Sequence, residues 1–169
     1  MDEKVTGGTD ISQVLTFKLA EEVYGVDIMS VREVLDFSSV TKVPHTPDFM
    51  VGVINLRGNV VPVVDLKKKF RLGDTERTVN TCIIIVEVVI DGESTVLGAL
   101  ADSVQEVVEF EHETIEDAPR IGTHLNTAFI AGMAKKDNGF VIILNVNAVF
   151  SMTEIGAYTG AAAETAAGI

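Results

Sequence analysis

The feature that most constrains this chain is an internal repeat. Residues 23–37, VYGVDIMSVREVLDF, align without gaps on residues 96–110, VLGALADSVQEVVEF, keeping Val, Gly, Ser, Val, Glu, Val and Phe at seven of fifteen positions. A second pair of segments follows in the same order. FMVGVINLRGNVVPVVDLKKKF (49–70) lies over FIAGMAKKDNGFVIILNVNAVF (129–150), matching Phe49 with Phe129, Gly52 with Gly132, Val61 with Val141 and Phe70 with Phe150. Each half is therefore one supersecondary unit with the same strand order. Valine and isoleucine together number 39 against 10 leucines, which favours pleated, half-buried surfaces over helices. A unit of about five short strands hides its edges most simply by closing into a small barrel. The expected fold is mainly β: two five-stranded barrels packed side by side, with a few short helical turns. The groove between them is the first place to look for a ligand or partner, with the equivalent segments around Val31 and Val104 as its walls.

Local patterns supply the strands. Val14–Leu19 and Val23–Ile28 form a first hairpin, and Ser30 caps a helical turn or bends the chain into VREVLDF. In that strand Val31, Glu33, Leu35 and Phe37 share a face, so Glu33 breaks an apolar row. Pro44 and Pro47 stiffen the loop over 38–48. The segment 49–70 reads as strand, tight turn at Arg57-Gly58-Asn59, strand, short basic turn, with glycine and asparagine supplying tolerance of positive φ. Arg57 is a lone cation at the tip of an otherwise apolar hairpin, where rigid strands could present it to a partner. The polar run RLGDTERTVN (71–80) is the best boundary between halves. Cys82–Ile90, a turn at Asp91-Gly92, Thr95–Ala101 and Val104–Phe110 follow as strands. Glu109–Glu113 is an acidic patch, and an irregular connection over 111–128 contains Pro119 and Gly122. A last hairpin spans Ala128–Ala134 and Phe140–Val146 around Asp137-Asn138-Gly139, before a helical turn at Asn147–Phe150. Residues 1–12 read as a flexible tail, 13–151 as the folded domain with approximate halves 13–80 and 81–151, and 152–169 as a flexible or weakly helical tail.

Composition excludes several function classes. A net charge of −12 repels phosphate backbones and anionic headgroups, and the absence of Trp with only two Tyr leaves little to stack on bases. The basic cluster Lys67, Lys68, Lys69, Arg71 and Arg77 reads as a solvated face. The acidic opening is not a secretory signal, and the apolar run around Cys82 is too short to span a bilayer. Cys82 reads as a buried, inert thiol. His45, His112 and His124 lack metal-ligand spacing, and no catalytic glycine-serine elbow, phosphate loop or zinc helix motif is present. A carboxylate dyad from Asp65 and Asp102 fails because the repeat pairs Asp102 with Met29 and Asp65 with Asn145. No metal or cofactor is expected. A non-enzymatic binding module fits best; the competing reading is a small barrel that binds a small molecule or oligonucleotide in its inter-barrel groove.

The run YGVDIMSVREV, followed by TPDFMVGVINLRGNVVPVVDLKKKF, resembles the CheW family, the cytoplasmic coupling proteins of bacterial chemotaxis, and residues 14–150 fit its layout. The resemblance implies two SH3-like five-stranded barrels and no enzymatic activity. It implies a cytoplasmic adaptor, monomeric when free, that bridges the tips of membrane chemoreceptors (methyl-accepting chemotaxis proteins) and the regulatory domain of the histidine kinase CheA. Val31, Glu33 and Val34, with Val104 in the second half, match positions at the receptor-facing groove. Arg57, flanked by Asn55 and Gly58, matches an arginine on which coupling to kinase or receptor depends. ADSV stands where many members carry VDGV, so the turn before Val104 is expected to differ. A variant that contacts only one of the partners is a further possibility within the family.

Overall fold

The computed structural model describes residues 11–73, 75–90, 92–111, 115–116, 129–136 and 139–150. The strands are β1 (Ile11–Leu19), β2 (Glu22–Asp27), β3 (Val31–Asp36), β4 (Met50–Leu56), β5 (Asn59–Asp65), β6 (Cys82–Ile90), β7 (Glu93–Ala101), β8 (Ser103–Glu111), β9 (Ile115–Glu116), β10 (Ile130–Lys136) and β11 (Gly139–Leu144). A 3-10 turn covers Ile28–Ser30, and two short helices, α1 (Leu66–Lys69) and α2 (Val146–Phe150), follow β5 and β11. The remainder of the two tails, Asp91, most of the 111–128 connection with Pro119 and Gly122, the Asp137-Asn138 turn, His112 and His124 lie outside the described residues.

Two sheets carry the fold: five strands in the order β3-β6-β7-β5-β4 and six in the order β8-β1-β2-β11-β10-β9. The second exceeds the expected five by the two-residue β9. Both sheets are rolled, because ion pairs join strands that are far apart in the sheet order: Glu33 on β3 with Arg57 beside β4, and Glu106 on β8 with Lys136 on β10 at 3.0 Å. A boundary near residue 80 is not where the sheets divide. The β1–β2 hairpin sits in the sheet of the second half, and β6–β7 sits in the sheet of the first. Two equivalent parallel pairings seal the exchange, β5 with β7 and β11 with β2, in which Val63 meets Gly98 and Ile143 meets Gly25. Both glycines are needed for close approach, since a Cβ on Gly98 would lie 2.8 Å from Ile83 Cγ2 and one on Gly25 would collide with Val14 Cγ1.

The repeat extends to local hydrogen bonding. The Asp65 N–H donates to the Phe49 carbonyl at 2.7 Å, and that of its mate Asn145 donates to the Phe129 carbonyl at 2.8 Å. Each side chain then accepts at the start of a helix, Asp65 Oδ1 from the N–H groups of Lys67 (3.0 Å) and Lys68 (3.3 Å), Asn145 Oδ1 from that of Ala148 (3.2 Å). Gly52 and Gly132 both mark register shifts in their hairpins.

The core has three parts. A small cluster lies within the six-stranded sheet (Val14, Phe110, Ala134, Val141, Ile143) and another within the five-stranded sheet (Val61, Val63, Ile83, Ile85, Leu100). The largest lies between the sheets and draws on both, with Phe17, Leu19 and Tyr24 from one and Val64, Ile84 and Leu97 from the other. Each fully buried side chain there contributes about 1.5–3 kcal/mol from apolar burial. The inner faces of the two sheets thus meet in a packed core, with Val31 and Val104 partly buried at its edge. Cys82 lies in it, buried as expected, and burial pushes its thiol pKa up.

Candidate functional site

A cleft opens on the five-stranded sheet. It has a volume of about 620 Å³ and a floor of Val53, Leu56, Val61, Pro62, Ile85 and Val96. Its rim is polar. The β4–β5 turn places Arg57 (φ 52) and Gly58 (φ 88) in the left-handed region, the geometry of a two-residue hairpin turn whose twist suits its strands. The asparagine that serves this turn is Asn55, not Asn59: Asn55 Oδ1 accepts the Gly58 N–H at 2.8 Å. Arg57 thereby projects from the tip toward Glu33, donating to both carboxylate oxygens, with Nη1 at 3.5 Å from Oε1. Glu33 sits on the inward face of β3, where its side chain is 28% exposed against 69% for Arg57. Its break in the apolar row is therefore resolved by a cation from the opposite edge of the rolled sheet.

A second ion pair lies beside the first. Arg32 Nη1 meets Glu87 Oε1 at 2.7 Å, and Glu87 also accepts from the Ser94 hydroxyl; hydrogen bonds from Ser94 and Arg32 hold the Glu87 carboxyl below the usual carboxylate range. Val60, 72% exposed, extends the apolar surface out of the cleft. An apolar floor with oriented charges at its rim suits a protein side-chain anchor.

The structure brings together only some of the residues singled out from sequence. Glu33 and Arg57 meet at the rim. Asn55 and Gly58 build the turn that aims Arg57. Val34 lies on the opposite face of β3 from Glu33 and is exposed, whereas Val31 and Val104 pack, partly buried, against the core between the sheets. Val104 pairs with Phe17, and Val31 with Val86. The basic cluster is not simply solvated. Lys67 pairs with Asp102, Lys69 Nζ lies 4.4 Å from the Phe49 ring centroid, and Arg77 lies 4.4 Å from that of Phe37. Val53, Val60, Pro62 and Val96 were missed; the signal was there in NVVPVVD, where Val60 and Pro62 leave the outward face of β5 apolar. Among the described residues no group of three His, Cys, Asp or Glu side chains is placed to hold a metal, and no helix is long and apolar enough to cross a membrane.

Two rolled sheets sharing a core and presenting an apolar cleft with an aimed arginine define the chain as a docking module of the adaptor class. It belongs to the CheW family: the model of the CheW-like domain matches residues 13–154. Similar proteins include the chemotaxis protein CheW of Klebsiella aerogenes, 32% identical over 152 residues and covering 90% of this chain and 89% of that protein. The probable chemotaxis protein CheW of Rhizobium etli is 32% identical over 142 residues, covering 84% and 89%. Among solved structures, the scaffolding protein TtCheW from Thermoanaerobacter tengcongensis has a TM-score of 0.76 and 40% identity, covering 85% of this chain and 90% of that one. The chain is accordingly a chemotaxis adaptor of mainly β fold.

Proposed function

We propose that this chain couples the cytoplasmic tips of methyl-accepting chemoreceptors to the regulatory domain of the histidine kinase CheA, acting in the cytoplasm by docking and catalysing no reaction. The observation that carries the reading is the Glu33–Arg57 pair at the rim of an apolar cleft, in a chain of the CheW family. The cleft offers an anchor site, and the guanidinium, fixed by its turn and more than half exposed, offers a fork for a partner's carboxylate. Val31, Val34 and Val104 serve as receptor-side positions and Arg57, aimed by Asn55 and Gly58, as the coupling residue. The free chain is a monomer that joins receptor arrays through these contacts.

The test is reconstitution. Purified chain is mixed with a receptor cytoplasmic fragment, with the CheA regulatory domain, and with both. Binding to each and kinase activation only in the ternary mixture are expected. Failure to bind either partner would defeat the reading, as would turnover of a substrate by the chain alone.

A further inference from the structure

The chain passes between the two sheets at two places, from β2 to β3 through Ile28–Ser30 and from β7 to β8 through Asp102. The repeat makes these crossovers equivalent, with Met29 the mate of Asp102, yet they are built differently. Met29 is 87% exposed in its 3-10 turn. Asp102 is tied on three sides. Its Oδ2 accepts the Ala20 N–H at 2.8 Å and meets Lys67 Nζ at 3.3 Å, while its own N–H donates to the Lys18 carbonyl at 3.0 Å.

Those partners belong to different bodies. Lys18 lies next to the end of β1, and Ala20, at φ 58, stands in the β1–β2 turn of the six-stranded sheet. Lys67 stands on α1, directly after β5 of the five-stranded sheet, and its side chain is only 12% exposed. In the other repeat the mate of Lys67 is Asn147, whose Oδ1 accepts the Val89 N–H at 3.0 Å, so that tie carries no charge. The apolar core between the sheets attracts without direction. A partly buried ion pair with charge-assisted hydrogen bonds is directional and suited to fixing register.

We infer that Lys67 and Asp102 are positioning residues that set the angle between the two sheets, and with it the relative placement of the faces on which receptor and kinase dock. The inference rests on the coupling role proposed above. Neither side chain lines the cleft that carries Glu33 and Arg57.

The experiment uses the full chain and its Lys67→Met and Lys67→Arg variants. Circular dichroism establishes folding, NMR residual dipolar couplings give the inter-sheet angle, and binding to each partner alone is compared with kinase activation in the ternary mixture. Lys67→Met is expected to keep each single affinity within about two-fold, to change the angle, and to lower ternary activation by about five-fold or more, with Lys67→Arg restoring both. Unchanged activation, an unchanged angle, or an equal loss of binding to one partner alone would overturn the inference. Should Lys67→Met fail to fold, Asp102→Asn, which keeps an acceptor for Ala20, is read by the same measurements. If the parent chain binds neither partner, the coupling role fails, while the angle in the variants still decides whether the pair is the joint.

Discussion

Arg57 has two duties that substitution can separate. It occupies the first position of a turn that needs positive φ, and its guanidinium reaches Glu33. Asparagine tolerates the left-handed region better than most residues, and Asn-Gly is the preferred pair for such a turn. Arg57→Asn should therefore change thermal stability by no more than about 1 kcal/mol, because the better turn residue offsets the loss of a partner for the half-buried Glu33 carboxylate. Ternary kinase activation should fall sharply; activation at the parent level would remove Arg57 from the coupling machinery. Tyr24 yields a prediction of a different kind. Burial, helped by the charge of Glu22, pushes its phenol from 10.0 up to about 12. The folded chain thus holds a proton that the unfolded chain releases above pH 10, so this stability is complete below pH 10 and is lost as pH rises toward 12. The loss is on the order of 2–3 kcal/mol. Urea midpoints measured across that range should fall more steeply for the parent chain than for Tyr24→Phe; parallel curves would show that Tyr24 does not titrate in this way. Arg57 and its partner Glu33 both stood out in the sequence. Arg57 was visible as a lone cation and Glu33 as a break in an apolar row, but they are far apart in the chain, and only the rolling of the sheet makes them partners.

At the scale of elements, glycines separate steric need from backbone need. Gly98 lies in the β5–β7 seam, where an added Cβ would press on Ile83 Cγ2 at 2.8 Å and Val63 Cγ2 at 3.3 Å. Gly58 has open space around it but holds φ 88. Gly98→Ala should cost about 1–3 kcal/mol by overpacking. Gly58→Ala should cost about 1 kcal/mol through backbone strain alone. Replacing Ile83 by Leu, which lacks the clashing Cγ2 branch, in the Gly98→Ala background should recover part of the first loss and none of the second, as read from denaturation midpoints. Equal behaviour of the two would refute the distinction. Most elements were legible in the sequence: Cys82–Ile90 begins and ends where its apolar run does, and the helical turn expected at Asn147–Phe150 is α2, one residue longer. Which hairpin enters which sheet was not legible. The β1–β2 and β6–β7 hairpins carry similar alternation, so apolar pattern alone fits either arrangement; in the fold each pairs in parallel with a strand of the other repeat, β2 with β11 at Gly25 and β7 with β5 at Gly98. The apolar faces left over from the two barrels meet and pack against each other in the shared core.

For the molecule as a whole, that exchange ties stability to both halves at once. The five-stranded sheet contains β6 and β7 at its centre, flanked by β3 and β5, and the six-stranded sheet contains β1 and β2 between β8 and β11. Cutting after residue 80 would leave β3, β4 and β5 without their central strands and would strip the shared core of either Phe17 and Tyr24 or Ile84 and Leu97. A ladder of rings crosses the same boundary, with centroid separations of 6.2 Å for Phe17–Tyr24, 6.2 Å for Tyr24–Phe70 and 5.9 Å for Phe70–Phe129. Neither sheet can lose order without exposing the apolar face of the other, so calorimetry should show one cooperative transition whose calorimetric and van't Hoff enthalpies agree. Fragments 1–80 and 81–169, each alone, should give poorly dispersed NMR spectra. Mixed in equal amounts, they should recover the dispersion of the intact chain, because each supplies the hairpin that the other's sheet needs. A folded 1–80 fragment by itself would mean that β1–β2 can take the place of β6–β7, and that the exchange seen here is a choice between two near-equal pairings instead of the sole stable one.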